Sequence, residues 1–176
     1  MEYLVVTIQG SQKLNIWLAI TTVANEMGCH IRKAQGQRLG SEDAINLLIS
    51  GNWNTIAKLE AALHRIAKTE KDILLHIKRT KPLEDQIQLL PYYVEVVGLD
   101  EPSMLFHVIK FFSGEQISIE NLHIESYISS ATSAPMFSLK VSLGIPCVMN
   151  IGELREQFIL FCEDLNVDGA IEPDKR

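Results

Sequence analysis

The chain repeats one plan in its two halves: a β-branched strand, a glycine and then an amphipathic helix. Residues 4–8 read Leu-Val-Val-Thr-Ile and lead to Gly10, while residues 93–97 read Tyr-Val-Glu-Val-Val and run directly into Gly98. Apolar residues recur at helical spacing after each glycine. A second apolar stripe also recurs, and its members correspond one to one: Ile56 to Ile151, Leu59 to Leu154, Leu63 to Phe158 and Ile66 to Phe161. The repeat predicts two copies of one folding unit.

The first copy has the predicted element order βαββαβ. After the first helix, one strand is expected over residues 29–35 and another over residues 44–50. The polar residues 36–43 between them contain Gly36 and Gly40 and favour a hairpin loop or a ragged strand edge. The second helix carries the apolar stripe, and residues 73–77 form the last predicted strand.

The second copy follows the same order. Its strands are predicted at residues 93–97, 117–127, 136–143 and 169–172. Asn150 is predicted to cap its last helix, with Glu153 three residues on as in a capping box.

A βαββαβ unit folds most economically as a ferredoxin-like sandwich, in which four antiparallel strands carry both helices on one face. We therefore predict an α+β chain of two ferredoxin-like domains in tandem. The predicted boundaries are residues 1–80 for the first domain, 81–91 for a polar linker and 92–176 for the second domain.

Composition and charge restrict the class of protein. The sequence has neither a run of about 18 apolar residues nor a basic, apolar leader, so we expect a cytoplasmic protein without a membrane partner. Residues 1–90 hold 11 Lys and Arg against 9 Asp and Glu, whereas residues 91–176 hold 5 against 13. Because DNA affinity rests largely on cationic side chains, direct nucleic-acid binding is not expected.

The residue types that carry catalysis or metal binding are scattered. The five histidines lie in different predicted elements without HxxxH or HExxH spacing, and no serine lies in a G-x-S-x-G turn. The three cysteines lie far apart without a CxxC, which predicts reduced, mostly buried thiols. We expect no catalytic residue, no metal and no cofactor, and hence no enzyme.

Four stretches of the sequence carry a family resemblance: residues 3–7, residues 47–56 with the turn Ser-Gly-Asn-Trp-Asn at 50–54, residues 78–80, and residues 162–166 with Gly169 and Ile171. Together with the repeated element order, they resemble the glycine cleavage system transcriptional repressor family of tandem ACT-domain proteins. The resemblance implies a regulator that has no DNA-binding motif of its own. It would bind a LysR-type transcriptional activator and respond to a small amino acid, glycine. A homodimer is one assembly open to such a chain.

The candidate ligand-binding residues lie where a strand meets a helix in each unit. A helix N-terminus presents unpaired N–H groups and a partial positive charge, which suit an α-carboxylate, and polar side chains nearby could bind an ammonium group. The resemblance to ACT domains adds the start of each unit's second strand, facing the same loop. The candidates are Gln12, Lys13, Asn15, His30, Asp100, Ser103 and Ser118. Asn15 and Ser103 are equally typical of plain helix N-caps.

Two other functions fit the same sequence. One is an amino-acid-sensing or oligomerising ACT module that regulates a metabolic enzyme in trans, as ACT domains often do. The other is nucleic-acid binding on the sheet face of the first unit. Trp53, in the turn before the second helix, is either a core residue or an exposed anchor for a partner, and burial is the expectation because aromatic side chains usually bury most of their area.

Overall fold

The computed structural model describes residues 1–11, 15–81, 88–114 and 117–174. The chain divides into two compact units, Met1–Glu84 and Asp85–Arg176. Both have the order βαββαβ that the repeat predicts. The elements are β1 (Glu2–Ser11), α1 (Ile16–Glu26), β2 (His30–Leu39), β3 (Glu42–Gly51), α2 (Trp53–Thr69), β4 (Ile73–Thr80), β5 (Leu89–Leu99), α3 (Met104–Ser113), β6 (Ser118–Ile128), β7 (Pro135–Pro146), α4 (Ile151–Asp164) and β8 (Asp168–Pro173).

The first unit is a four-stranded antiparallel sheet in the order β2-β3-β1-β4. Side chains alternate between the two faces of a strand, so Leu4, Val6 and Ile8 of β1 point to the same side, and all three are buried. They share one core cluster with buried residues of both helices, including Ile20 and Leu59. Both helices therefore cover one face of the sheet, as predicted.

The second unit repeats this arrangement with the sheet order β6-β7-β5-β8, also antiparallel. Its core combines strand residues such as Val94 and Leu139 with helix residues such as Phe112 and Phe158. The prediction of two ferredoxin-like units, each with a four-stranded antiparallel sheet, is confirmed.

Asparagine caps fix the starts of the second helix in each unit. The Asn52 side chain accepts a hydrogen bond from the Thr55 N–H at 2.9 Å. Asn150 accepts from the N–H groups of Gly152 and Glu153, at 3.1 and 3.3 Å. Each cap satisfies N–H groups that the first helical turn leaves without a partner, and the predicted cap at Asn150 is confirmed.

The hairpin between β2 and β3 is tighter than predicted. Residues 36–39 and 42–43 continue the two strands, and only Gly40 and Ser41 form the turn. Gly40 has φ of 63°, in the left-handed region that glycine adopts readily. The predicted loop is wrong because cross-strand contacts prolong the ladder: Arg38 pairs with Asp43, and their side chains form an ion pair at 2.9 Å.

Three further expectations need correction. Strand β5 begins at Leu89, which pairs with Pro146 of β7, so residues 89–91 belong to a strand and not to the predicted linker. Most of the residues predicted for that linker, 81–91, lie outside the described residues. Trp53 is 68% exposed, because it is the first residue of α2 and precedes the first buried position of that helix. Cys147 is exposed in the turn before α4, whereas Cys162 is buried and Cys29 half-buried.

No helix within the described ranges combines the length and the apolar character needed to cross a membrane.

Candidate functional site

The β1–α1 turn of the first unit starts from a tightly packed glycine. A Cβ added to Gly10 would lie 2.9 Å from Ile16 Cδ1 and 3.0 Å from the carbonyl oxygen of Asp72. A side chain at position 10 would therefore collide with the start of α1 and with the turn before β4. Because Gly10 has none, the strand end, the helix start and the α2–β4 turn meet at one end of the unit.

Asn15 acts as the N-cap of α1. Its side-chain Oδ1 accepts a hydrogen bond from the Leu18 N–H at 3.3 Å, and its carbonyl accepts from the Ala19 N–H at 3.0 Å. The interpretation of Asn15 as a helix cap is confirmed. Its oxygen already accepts the capping hydrogen bond, and its amide NH₂ can act as a donor to a further partner.

The corresponding turn of the second unit is built differently. The Asp100 N–H donates to the Pro135 carbonyl at 3.0 Å, which ties the turn to the start of β7. Ser103 occupies the N-cap position of α3, where its carbonyl accepts from the His107 N–H at 3.1 Å, but its side chain makes no capping hydrogen bond. Both side chains are exposed beside the helix start.

His30 lies at the opposite end of its unit from Asn15. It pairs with Ser50, which pairs with Tyr3, whereas the turn begins after Gly10. Tyr3 and Gly10 are seven residues apart along β1, which corresponds to about 23 Å at the usual rise per residue of a strand. The expectation that His30 faces the β1–α1 turn is wrong within the unit. The second strand begins at the end of the sheet where β1 begins, whereas the turn lies at the end where β1 stops.

Ser118 has the same relation to the second turn. It pairs with Gly144, which lies opposite Pro91 near the start of β5, whereas Asp100 follows the end of that strand. Gln12 and Lys13 lie outside the described residues. Within the described part of each unit, the structure thus places Asn15, Asp100 and Ser103 at a strand–helix turn.

The first unit contains an apolar cavity of about 320 Å³ that the sequence analysis did not predict. It lies between the two helices and strands β1 and β4. Its walls are mostly aliphatic side chains, including Ala19, Leu63 and Ile66. Among the described residues, two polar ones also line it: Asn15 at the start of α1, and Glu70 just after the end of α2.

Phenylalanine side chains occupy the corresponding place in the second unit. The ring centroids of Phe111 and Phe161 are 4.7 Å apart, and those of Phe112 and Phe158 are 5.6 Å apart. The repeat aligns Phe158 and Phe161 with Leu63 and Ile66, so smaller side chains stand at the same places in the first unit. The smaller side chains in the first copy are the feature of the sequence that indicates the cavity.

A broader recess of about 680 Å³ lies at the turn end of the second unit. Gly98 and Leu99 of β5, Ser129 and Thr132 of the β6–β7 loop, and Asn166 after α4 contribute to its lining. None of the predicted ligand residues is among the described residues that line it. The recess is open to solvent.

Cys162, which also lines this recess, is not a reactive thiol. Its pKa is raised to about 11, first by burial and second by the negative charge of Asp168. The thiol therefore stays protonated at neutral pH and is a poor nucleophile. Within the described ranges, no three His, Cys, Asp or Glu side chains come together in a way that could hold a metal ion.

Comparison with protein families and curated proteins bears on both units. Residues 2–78, which make up nearly all of the first unit, match the ACT domain model. The chain is 25% identical over 170 residues to the glycine cleavage system transcriptional repressor of Escherichia coli (strain K12), and the aligned region covers 97% of this chain and 89% of that protein. The repressor of Shigella flexneri gives the same values.

Solved structures share the fold over the whole chain. A crystal structure assigned as a glycine cleavage system transcriptional repressor superposes with a TM-score of 0.73 at 24% identity, covering 99% of this chain and 98% of that one. A protein of unknown function from Galdieria sulphuraria gives a TM-score of 0.81 at 17% identity, with 98% of each chain covered.

Proposed function

We propose that this chain is a tandem ACT-type regulatory protein like the glycine cleavage system transcriptional repressor, with which 97% of it aligns, and that it represses transcription by binding another protein. The homology indicates a regulator and not an enzyme. The observation that carries the proposal is the extent of the match, since 97% of the chain aligns with that repressor and both ACT-type units are included.

The charge distribution supports an indirect action on DNA. A protein that binds DNA by itself usually presents a concentrated basic surface. Here residues 91–176 hold 5 Lys and Arg against 13 Asp and Glu, and the basic residues of the first half are scattered. A regulator of this kind would reach its operator through a partner that supplies the DNA-binding domain.

The proposed partner is a LysR-type transcriptional activator, and the proposed signal is glycine. Binding would keep the activator inactive, and glycine would release it. A cytoplasmic location and the absence of a cofactor are part of the same proposal.

The proposed glycine site is the strand–helix turn of each unit, with Asn15, Asp100 and Ser103 beside the helix start and Gln12 and Lys13 in the first turn. The N-terminal N–H groups of α1 and α3 suit the carboxylate of glycine, and the Asp100 side chain suits its ammonium group. A glycine bound at one turn cannot touch the His30 or Ser118 of the same unit, because about 23 Å of sheet lies between.

Partner capture from cell extract tests this function. The purified chain is immobilised, and bound proteins are identified by mass spectrometry with and without glycine, with alanine and serine as parallel ligands. We expect a helix-turn-helix activator that is retained without glycine and lost with it. A metabolic enzyme retained in its place would favour regulation of an enzyme in trans, and salt-sensitive binding of DNA by the chain alone would overturn the proposal.

A matched pair of variants locates the signal. Asp100→Asn removes the carboxylate at the proposed site of the second unit and should weaken the glycine effect while the activator is still retained. Glu101→Gln removes an adjacent exposed carboxylate and should leave the glycine effect intact. A glycine response that survives Asp100→Asn would move the site away from this turn.

The assembly of the chain is a separate part of the proposal. Strand β2 is an edge strand that pairs with β3 alone, and all of its residues are exposed. An exposed edge can add a strand from another chain, which makes a homodimer through this edge the form we propose. Light scattering during gel filtration over a range of protein concentrations would decide whether the dimer forms.

A further inference from the structure

Helices α2 and α4, which correspond to each other in the repeat, present outer faces of opposite charge. Each face consists of exposed residues at spacings of three, four and three, which place them along one side of the helix. The residues of α2, called the basic face here, are Lys58, Ala61, Arg65 and Lys68. The residues of α4, called the acidic face, are Glu153, Glu156, Leu160 and Glu163.

We propose that the basic face of one copy of this chain binds the acidic face of a second copy. The two faces belong to different units, so a symmetric dimer contains the contact twice. The contact uses neither the β2 edge nor the strand–helix turns, and it requires neither glycine nor the activator.

The charged groups of both faces are available to a second copy. Among the described residues, none of these six side chains takes part in an ion pair. Glu60 of α2 differs in this respect, because it is held by Arg79 of β4 at 2.8 Å. The charges of α2 and α4 that face solvent are therefore the ones without a partner in their own unit.

An antiparallel arrangement matches the two faces residue by residue. Helices that pack through positions spaced by three, four and three cross at about 20°, as in the seam of a coiled coil. In the best register the opposed pairs are Lys58 with Glu163, Ala61 with Leu160, Arg65 with Glu156, and Lys68 with Glu153. Every charged residue of one face then lies opposite a charge of the other sign.

Leu160 supplies an apolar contact within this arrangement. Its side chain is 61% exposed, so a second copy that covered it would remove apolar surface from water. The opposed residue, Ala61, is small and leaves room for the leucine side chain. Exposed ion pairs contribute little individually and are screened by salt, so the contact should be weak and sensitive to ionic strength.

The charges also select this pairing over its alternatives. Two basic faces would repel each other, as would two acidic faces, so only the mixed pair is attractive. Lys58 corresponds in the repeat to Glu153, and Lys68 to Glu163. The two units thus carry opposite charges at equivalent places of one fold, which makes their helix faces complementary.

Sedimentation equilibrium of the full chain over a range of concentrations tests the proposal first. We expect reversible association whose dissociation constant rises by about tenfold between about 0.05 and 0.5 M sodium chloride. A chain that stays monomeric at every concentration, or an association that salt leaves unchanged, would overturn the proposal.

Charge reversal tests the pairing between copies. Lys68→Glu and Glu153→Lys each oppose like charges and should weaken self-association by about tenfold. An equimolar mixture should associate as tightly as the wild type, because the new carboxylate of one variant meets the new ammonium group of the other. A contact within one copy cannot be rescued by mixing, so a mixture that stays as weak as either variant would contradict the proposal.

Lys71→Glu is the matched control for the change in net charge. Lys71 is exposed in the turn after α2 and lies outside the basic face. Its reversal should leave the dissociation constant unchanged, and a loss equal to that of Lys68→Glu would show a general charge effect and exclude the proposed contact.

Leu160→Ala tests the apolar part of the interface. It should weaken self-association by about tenfold, since the contact would bury less apolar surface. Leu74→Ala is the control, because Leu74 is 69% exposed on β4 and outside both faces. Circular dichroism checks that each variant is folded. Equal dissociation constants for the two folded leucine variants would contradict the proposal, and the charge-reversal pair decides the matter if Leu160→Ala does not fold.

Discussion

The indole ring of Trp17 lies directly over Gly36, so closely that a Cβ at position 36 would overlap its Cζ2 atom. Trp17 belongs to α1 and Gly36 to the edge strand β2, so this contact packs the helix against the outermost strand of the first sheet. Gly36→Val should displace the ring and cost about 1–3 kcal/mol of unfolding free energy, as overpacked sites usually do. Urea unfolding followed by tryptophan fluorescence would measure both effects. The control is Gln35→Val, at the preceding exposed position of β2 on the opposite face; an equal loss there would contradict the packing role.

The cap at Asn52 should make a measurable contribution to the first unit. Asn52→Ala removes the acceptor for the Thr55 N–H and should lower the unfolding free energy by about 1 kcal/mol. Asn54→Ala, an exposed position within the first helical turn, is the matched control and should change the stability by much less. Chemical denaturation monitored by circular dichroism compares the two.

The ion pair between Arg79 and Glu60 should make stability depend on pH. The hydrogen bond from Arg79, at 2.8 Å, is the main cause that lowers the pKa of Glu60 below its usual value. The unfolded state therefore takes up the proton first as the pH falls, so the stabilisation is present at neutral pH and is lost on acidification through the folded pKa. The stability difference between the wild type and Glu60→Gln should be seen at pH 7 and be smaller at pH 3.

Urea unfolding at both pH values, each at low and high salt, checks the Glu60 prediction. Glu26→Gln serves as the control, because no ion pair is formed by Glu26 within the described ranges. If the difference in unfolding free energy between the wild type and Glu60→Gln grew on acidification, the stabilising role of the Arg79–Glu60 ion pair would be contradicted.

The cysteines should react in a fixed order. Cys147 is exposed and should be alkylated rapidly by iodoacetamide at pH 8, whereas Cys162, with a pKa raised to about 11 by burial, should react only after unfolding. Peptide mass spectrometry after timed quenching separates the two sites. Rapid labelling of Cys162 in the folded chain would show that α4 opens readily.

The repeat in the sequence predicted most of the fold because strand and helix periodicities are local properties. The strand of residues 4–8 and the stripe from Ile56 to Ile66 needed no knowledge of distant contacts. The predictions failed where distant pairing decides the outcome. Strand β2 continues past Gly36 because β3 pairs with it, and β5 begins at Leu89 because Pro146 lies opposite.

The candidate site was predicted less completely than the fold. Asn15 and Asp100 follow a strand–glycine pattern that can be read along the chain, and both lie at a helix start. His30 was assigned to the same turn, although its position depends on the order of strands in the sheet. The cavity could not be predicted from either copy alone, since only the difference between Leu63 and Phe158 marks it.

The unequal packing of the two units bears on the lifetime of the protein. Each unit has a core of its own, and the partly open apolar cavity in the first one leaves its lining with fewer packing partners than a filled version would have. Heat or a destabilising mutation should therefore open the N-terminal half first and leave the C-terminal half native. Proteases and chaperones would meet that half-open species, so a compound that fills the void would also lengthen the time for which the protein survives in the cell.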